Sequence, residues 1–133
     1  MKTLIRQYLY TLAALLVLDG LWLSTTSQSF YAPRLAHLTG PVQIGPAVFF
    51  YVLYAAVVTG LVVRNSIRER HPILHALRFG ALLGLGAYGA YDLTNQATLR
   101  DWPLVLTVVD MAWGAFVTAV GAAVGTALAR RHR

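Results

Sequence analysis

The chain has 133 residues, of which 57% are hydrophobic and only 12% are charged. A water-soluble domain carries about twice that share of charged residues, so the composition excludes a soluble domain and predicts an integral membrane protein. The absence of cysteine excludes disulfides, and the net charge of +6 does not indicate a nucleic-acid partner, because the basic residues lie at the ends of apolar segments.

Four apolar segments follow one another along the chain, at about residues 4–26, 44–63, 76–99 and 102–129. Each has about 20 residues or more, which is the length that a helix needs to cross the hydrocarbon of a bilayer. We therefore predict an all-α fold over residues 1–133, a single transmembrane domain built as an integral membrane four-helix bundle.

The basic residues are distributed unequally between the two sides of the predicted bundle. Arg34 and Arg100 lie on one side, and the other nine lie on the side of the termini. The positive-inside rule then predicts that both termini are cytoplasmic, in a multi-pass protein of the inner (plasma) membrane. A cleaved signal peptide is disfavoured, because the first segment is long and contains Asp19. The nine residues are Lys2, Arg6, Arg64, Arg68, Arg70, Arg78, Arg130, Arg131 and Arg133.

The two outer connections have different characters. The first, residues 27–43, is long and semi-polar, and its aromatic residues either lie on the membrane surface or fold over the mouth of the bundle. In the second, we expect Asp101 to cap the fourth helix, with Trp102 at the membrane interface and Pro103 in the first turn. Gly80-x-x-x-Gly84 and Gly121-x-x-x-Gly125 predict close helix packing within the chain, although a homo-oligomer or another membrane protein remains a possible partner.

Three of the five acidic residues, Asp19, Asp92 and Asp110, lie inside the predicted spans. Counted from the outer end of its helix, each lies about 10–12 Å deep at ~1.5 Å per residue. An ionised Asp in hydrocarbon costs about 3 kcal/mol or more, so such residues normally face the bundle interior or a wet cavity. Their common depth predicts one shared polar site between helices.

This site is the predicted ligand-binding region. Three adjacent carboxylates cannot all remain ionised in a low dielectric, so one holds a proton or a cation lies among them. Alternatively, each Asp is a structural acceptor for a Tyr or Trp of another helix. The predicted ligand-binding residues are Asp19, Trp22, Tyr51, Tyr54, Tyr91, Asp92, Asn95, Asp110 and Trp113.

Two weaker patterns receive structural interpretations. An Asp-x-x-Trp pattern occurs at residues 19–22 and 110–113, but the two helices run in opposite directions, so we expect the two Trp side chains at different depths. His71 and His75 have the spacing of a metal pair, but they lie in a basic connection with little acidic company, and we predict no metal site there. No cofactor is identified.

The segment "YDLTNQATLRDWPLVLTVVDMAWG", residues 91–114, resembles the domain of unknown function 2177 family of small bacterial membrane proteins. The residues that carry the resemblance include Tyr91, Asp92 and Asn95 and the later Asp110 and Trp113. The segments "LDGLWL" and "FFYVLYA" extend it over nearly the whole chain. The resemblance implies a four-span bacterial membrane protein, and it implies no activity.

Three functions agree with the sequence. The first is a membrane protein whose buried acidic and aromatic pocket binds or transports a small or lipid-like ligand. The second is a membrane-embedded enzyme acting on lipid or fatty acyl substrates, with one Asp as base and a protonated partner as acid. The third is an accessory subunit whose membrane partner supplies the chemistry.

Overall fold

A computed structural model describes residues 1–131, and His132 and Arg133 lie outside the described residues. No strand occurs among the residues it describes, and four helices are each long and apolar enough to cross a membrane. The predicted all-helical, four-span fold class is confirmed. The helices are α1, Lys2–Leu35; α2, Ile44–Ser66; α3, Pro72–Thr98; and α4, Leu104–Arg131.

Helix α1 is longer than the sequence predicted, because it does not end near Thr26. It continues through a π-helical turn, Ser27–Tyr31, and a further α-helical turn, Ala32–Leu35. The sequence suggested a loop here because the segment is rich in polar residues. Several of these side chains form hydrogen bonds to carbonyl groups of their own helix; for example, the Thr26 hydroxyl donates to the Trp22 carbonyl at 2.7 Å. Hydroxyl side chains that bond to a preceding carbonyl do not interrupt a helix, so the connection shrinks to residues 36–43.

Helix α4 is the centre of the bundle, because it packs along both α3 and α1. Its buried face is rich in glycine, alanine and threonine, which lets the backbones approach closely. A methyl group at Gly84 would overlap the backbone of Gly114, and one at Gly125 would overlap the side chain of Thr11. The glycine patterns therefore pack helices within the chain, as predicted.

Helix α2 packs against different helices along its length. Its first part, Ile44–Val58, packs against α1, whereas its packing against α3 is made through the π-helical turn Thr59–Val63 and the final turn Arg64–Ser66. We call the end of the bundle that carries the connections 36–43 and 99–103 the loop end, and the opposite end the terminal end. Toward the loop end, α2 and α3 lack close backbone packing, and the gap between their backbones is spanned by large side chains such as Tyr54 and Tyr88, whose ring centroids are 6.4 Å apart.

The start of α4 differs from the prediction at Asp101. The Pro103 carbonyl accepts the first bond of the helix, from Leu106 at 3.0 Å, so Asp101 precedes the cap position and has a positive φ of 57°. Trp102 is only 6% exposed, so its ring is buried among protein side chains. Its ring Nε1 donates to the Thr107 hydroxyl at 3.0 Å, so it packs into the protein as part of the α3–α4 connection.

Candidate functional site

A cavity of about 480 Å³ lies in the half of the bundle near the loop end. All four helices contribute to its wall. Seven of its thirteen lining residues are aromatic and four are aliphatic, and the remaining two are the carboxylates of Asp19 and Asp110. The aromatic residues are Trp22, Tyr31, Phe50, Tyr51, Tyr88, Tyr91 and Trp113.

Asp19 connects three helices at one side of the cavity. It ends a stripe of buried α1 residues spaced four apart, Gln7, Thr11, Leu15 and Asp19, so the same face that packs on α4 delivers the carboxylate. One oxygen accepts from the Tyr51 hydroxyl at 2.8 Å, and the other accepts from the indole Nε1 of Trp113 at 2.7 Å. Both carboxylate oxygens therefore have a protein donor.

The two Asp-x-x-Trp segments form one interlocked unit. The rings of Trp22 and Trp113 stack, with centroids 4.3 Å apart and planes inclined by 7°. Trp22 Nε1 donates to the Tyr31 hydroxyl at 3.1 Å, and that hydroxyl donates to Asp110 at 2.6 Å. Each Trp therefore reaches the Asp of the other segment, directly in one case and through Tyr31 in the other.

The expectation that the two Trp side chains lie at different depths is wrong. In antiparallel helices, one register that sets position 19 beside position 113 also sets position 22 beside position 110. The depth count assumed that α1 ends near Thr26, so it placed Asp19 and Asp110 directly opposite each other. The structure instead sets Asp19 beside Trp113 and sets Asp110 beside the Trp22–Tyr31 pair.

Asp92 is fully buried, with 0% of its surface exposed, and it does not line the cavity. Neither of its oxygens has a hydrogen-bond donor among the described residues. Its polar neighbour is the carboxyl of Asp110, within hydrogen-bonding reach. Two carboxyl groups can form a hydrogen bond only when one of them is protonated.

The structure brings together six of the nine residues predicted from the sequence. Asp19, Trp22, Tyr51, Tyr91, Asp110 and Trp113 line the cavity, whereas Tyr54, Asp92 and Asn95 do not. The Tyr54 hydroxyl bonds to the Thr118 hydroxyl at 2.7 Å, deeper in the bundle. The Asn95 side chain lies beside the Tyr91 hydroxyl, one turn along α3.

Three further aromatic residues belong to the cavity wall, and they were not among the predicted ligand-binding residues: Tyr31, Phe50 and Tyr88. Tyr31 reaches the cavity because the π-helical turn carries it over the mouth of the bundle, together with Leu35. Tyr88 lies one turn from Asp92 on α3, with its ring against Gly114. The spacing of Tyr88, Asp92 and Asn95 on one helical face was the available signal for Tyr88.

Among the residues that the structure describes, no lysine, arginine or histidine lines the cavity. Arg34, which is near in sequence, lies over the Phe30 ring at 4.3 Å and donates to the Phe30 carbonyl. Within residues 1–131, no group of three or more His, Cys, Asp or Glu side chains is arranged to hold a metal ion. The His75 ring bonds to the Ser66 hydroxyl at 2.8 Å, which gives this histidine a structural partner.

Comparison with known proteins yields one match. The model of a family described as "Predicted membrane protein (DUF2177)" matches residues 4–127, which is nearly the whole chain. No curated protein and no solved structure matches the chain.

Proposed function

Because the chain belongs to the DUF2177 family of predicted membrane proteins, whose description states no activity, we propose a function from the geometry of the cavity. The protein binds a single amphiphilic molecule that is neutral or cationic. The apolar part of the ligand lies among the aromatic rings, and its hydroxyl or amino group donates a hydrogen bond to Asp110.

The observation that carries this proposal is the composition of the cavity wall. Pockets that bind small organic ligands are concave, mostly apolar, and contain a few polar groups in fixed positions. The cavity of about 480 Å³ has this character, because two carboxylates are set among eleven aromatic and aliphatic side chains. The bonds of Tyr31, Tyr51 and Trp113 to these carboxylates fix the polar groups in place.

The charge of the wall determines which head group it accepts. Carboxylates attract cations and accept hydrogen bonds, and they repel anions in a medium of low dielectric. Since no basic side chain of residues 1–131 lines the cavity, a fatty acid carboxylate or a lipid phosphate finds no cationic partner there. An alcohol or an amine finds acceptor oxygens on Asp110 and the Tyr88 hydroxyl, which has no hydrogen bond to another described residue.

The ligand reaches the cavity from the membrane, through the gap between α2 and α3. Phe50 on α2 is 43% exposed and Tyr91 on α3 is 55% exposed, and both line the cavity. Side chains that lie both in a cavity wall and on the lipid-facing surface mark a lateral opening. An apolar ligand that enters this way does not have to cross water, which suits the apolar wall.

Quenching of tryptophan fluorescence tests the proposal, because two of the three Trp side chains line the cavity. Purified protein in detergent is titrated with brominated decanol, decylamine and decanoate, whose bromine atoms quench nearby indoles. We expect saturable quenching by the alcohol and the amine at concentrations where the carboxylate has no effect. Equal, non-saturating quenching by all three probes would show only partitioning into the micelle and would contradict the proposal.

A matched pair of variants locates the binding. Ala87 lines the cavity and Ala90, almost one turn away on α3, is exposed to lipid. Ala87→Leu fills part of the cavity and weakens probe binding by about tenfold or more, the equivalent of about 1.4 kcal/mol. Ala90→Leu adds the same atoms outside the cavity and leaves binding unchanged. If both variants behave alike, the probe binds elsewhere.

A second candidate function is a membrane-embedded enzyme acting on a lipid, and the observation that favours it is the juxtaposition of Asp92 and Asp110. A protonated carboxyl beside an ionised one lets Asp110, which lines the cavity, act as acid or as base toward a bound molecule while Asp92 takes up or returns the proton from behind it. Incubation of the protein with membrane lipids and mass spectrometry of the products tests this candidate. Turnover that is lost in Asp110→Asn would favour it over simple binding.

A further inference from the structure

The buried carboxyl pair of Asp92 and Asp110 has a property that ligand binding alone does not require. We propose that the two carboxyl groups share one proton, and that a cationic group bound at Asp110 displaces this proton into the cavity. The cavity then exchanges a proton for an organic cation. This inference rests on the proposed function for its ligand, whereas the shared proton rests on the geometry of the pair.

The pair is built by the tight packing of α3 against α4. The close approach of Gly84 to Gly114 sets the antiparallel register, and the Tyr88 ring covers Gly114 on the side toward the loop end. One turn further, the same register sets Asp92 opposite Asp110. The backbones cannot separate to admit another partner, so each carboxyl has the other as its neighbour.

Because Asp92 is buried and has no hydrogen-bond donor, the pair of carboxyl groups has to hold a proton. Its side chain is 0% exposed, and neither oxygen receives a hydrogen bond from a donor group of the described chain. Two unit charges about 4 Å apart repel by about 4 kcal/mol at an effective dielectric of ~20. One proton between the two groups converts this repulsion into a short, charge-assisted hydrogen bond.

The groups that face the pair do not supply a compensating positive charge. Helix α1 contributes Asp19 and Tyr31, α2 contributes Tyr51, and α3 itself contributes Tyr88 and Tyr91. All of these groups are acidic or neutral. In the described chain the pair therefore meets only acidic and neutral groups, and the missing positive charge has to come from a proton or from the ligand.

The two members of the pair have different access to the cavity. Asp110 lines the cavity and accepts from Tyr31, whereas Asp92 lies behind it without access. A cation at Asp110 stabilises the fully ionised pair, so the proton leaves through Asp110 and the ligand replaces its charge. The exchange conserves charge, since one proton leaves for each monovalent cation that binds.

Proton release on binding tests the exchange. The probes are decyltrimethylammonium, a cation that carries no proton to lose, and decanol, its neutral counterpart. Both are added to the purified protein in weakly buffered detergent solution with a pH indicator dye. We expect about one proton released for each bound decyltrimethylammonium and none for decanol, because only the cation competes with the shared proton. Cation binding without proton release would overturn the inference and leave the proposed function intact.

Two substitutions separate the roles of the carboxyl groups. Asp92→Asn mimics the protonated state, so it keeps cation binding and loses proton release. Asp110→Asn removes the negative charge that faces the cavity, so it weakens cation binding by about tenfold or more, equivalent to about 1.4 kcal/mol. It weakens decanol binding less, because the amide oxygen of the new side chain still accepts a hydrogen bond. The control is Asp101→Asn, an exposed acid outside the cavity, whose product also tolerates a positive φ and which should change neither readout. Proton release that persists in Asp92→Asn would contradict the pairing.

An infrared measurement tests whether the pair holds a proton, and it does not depend on any ligand. A protonated carboxyl has a carbonyl stretch that is separated from the bands of carboxylates and amides. We expect this band in the wild-type protein at neutral pH, and we expect it to disappear in Asp92→Asn, where Asp110 keeps the Tyr31 donor. In Asp110→Asn we expect the band to remain at a shifted position, because a buried carboxyl group without a donor stays protonated. If neither probe binds, the proposed function fails while this band still supports the shared proton. If the band is absent, the shared proton is wrong even where ligands bind.

Discussion

The two halves of the bundle are stabilised in different ways. Toward the terminal end, small and β-branched side chains such as Val58, Val63 and Ala122 are completely buried in a packed core, and a second cavity of about 370 Å³ lies beside this core between α1 and α2. Toward the loop end, large aromatic rings surround a cavity of about 480 Å³ and are held by hydrogen bonds to Asp19 and Asp110. Close packing stabilises the first half, and directed polar contacts stabilise the second.

This difference indicates why the cavity can exist at all. In a bilayer, helices associate through close van der Waals contact and interhelical hydrogen bonds, since lipid is as apolar as the helix surface. The core of the terminal half uses close contact between small side chains. The loop half uses hydrogen bonds at fixed points, which hold the aromatic rings apart and leave room between them. The cavity of the loop half therefore contains fixed carboxylates, whereas the cavity beside the terminal core is lined by Arg64 and by apolar and uncharged side chains.

The largest expected effect comes from breaking the close packing. Gly84→Ala places a methyl group against the backbone of Gly114 and should destabilise the bundle by about 3 kcal/mol, because backbone cannot move aside as a side chain can. Gly86→Ala is the matched control, since nothing lies within 4 Å of the added group. It should stabilise α3 by about 0.5–1 kcal/mol through helix propensity. Thermal unfolding in detergent measures both, and equal stabilities would contradict the packing argument.

A somewhat smaller loss of stability should follow from removing the carboxylate of Asp19, which accepts two hydrogen bonds in the loop half. Asp19→Ala leaves the Tyr51 hydroxyl and the Trp113 indole N–H without their partner, at a cost of about 2 kcal/mol. A double-mutant cycle with Trp113→Phe should give a coupling energy of about 1 kcal/mol. A coupling energy near zero would show that the hydrogen bond between these two residues does not stabilise the fold.

The sequence predicted the helices and the identity of the polar residues well, for a physical reason. Long apolar segments have few alternatives in a membrane, and charged residues inside them are rare enough to identify a site by themselves. Thus Asp19 and Asp110 could be recognised before any coordinates. The family resemblance agrees with the matched family, although neither specifies a ligand.

The parts that the sequence could not predict depend on rotation and register. A depth count gives the level of Asp92 in its helix, but it does not distinguish a residue facing the cavity from one facing the neighbouring helix. Likewise, the π-helical turn that brings Tyr31 over the cavity has no clear signal in a segment rich in serine and threonine. To predict that Trp22 and Trp113 stack, one has to know the register of α1 against α4, and this register is known only from the packed structure.

Two tyrosine hydroxyls, one in the cavity wall and one outside it, allow the two halves of the bundle to be compared at the level of single hydrogen bonds. Tyr31→Phe removes the hydroxyl that joins Trp22 to Asp110 and should cost about 1 kcal/mol, with a shift in the fluorescence of Trp22 toward longer wavelength. Tyr8→Phe removes a tyrosine hydroxyl outside the cavity, where it donates to the Val52 carbonyl at 3.2 Å. It should have a similar cost without the fluorescence shift. A shift in both variants would show that the signal reports general loosening.

The smallest expected effect tests whether polar groups in the bundle stabilise it only where they have partners. The Thr59 hydroxyl, in the π-helical turn of α2, is buried and has no hydrogen-bond partner among the described residues. Thr59→Val replaces it with a methyl group of similar size and should stabilise the protein by about 0.5–1 kcal/mol, because no hydrogen bond is lost and a buried polar group is removed. Thr118→Val makes the same change at a hydroxyl that bonds to Tyr54, and it should destabilise the protein by about 1 kcal/mol. Opposite signs in thermal unfolding would show that the value of a buried hydroxyl depends on its partner, whereas the same sign would mean that packing alone sets the stability of both positions.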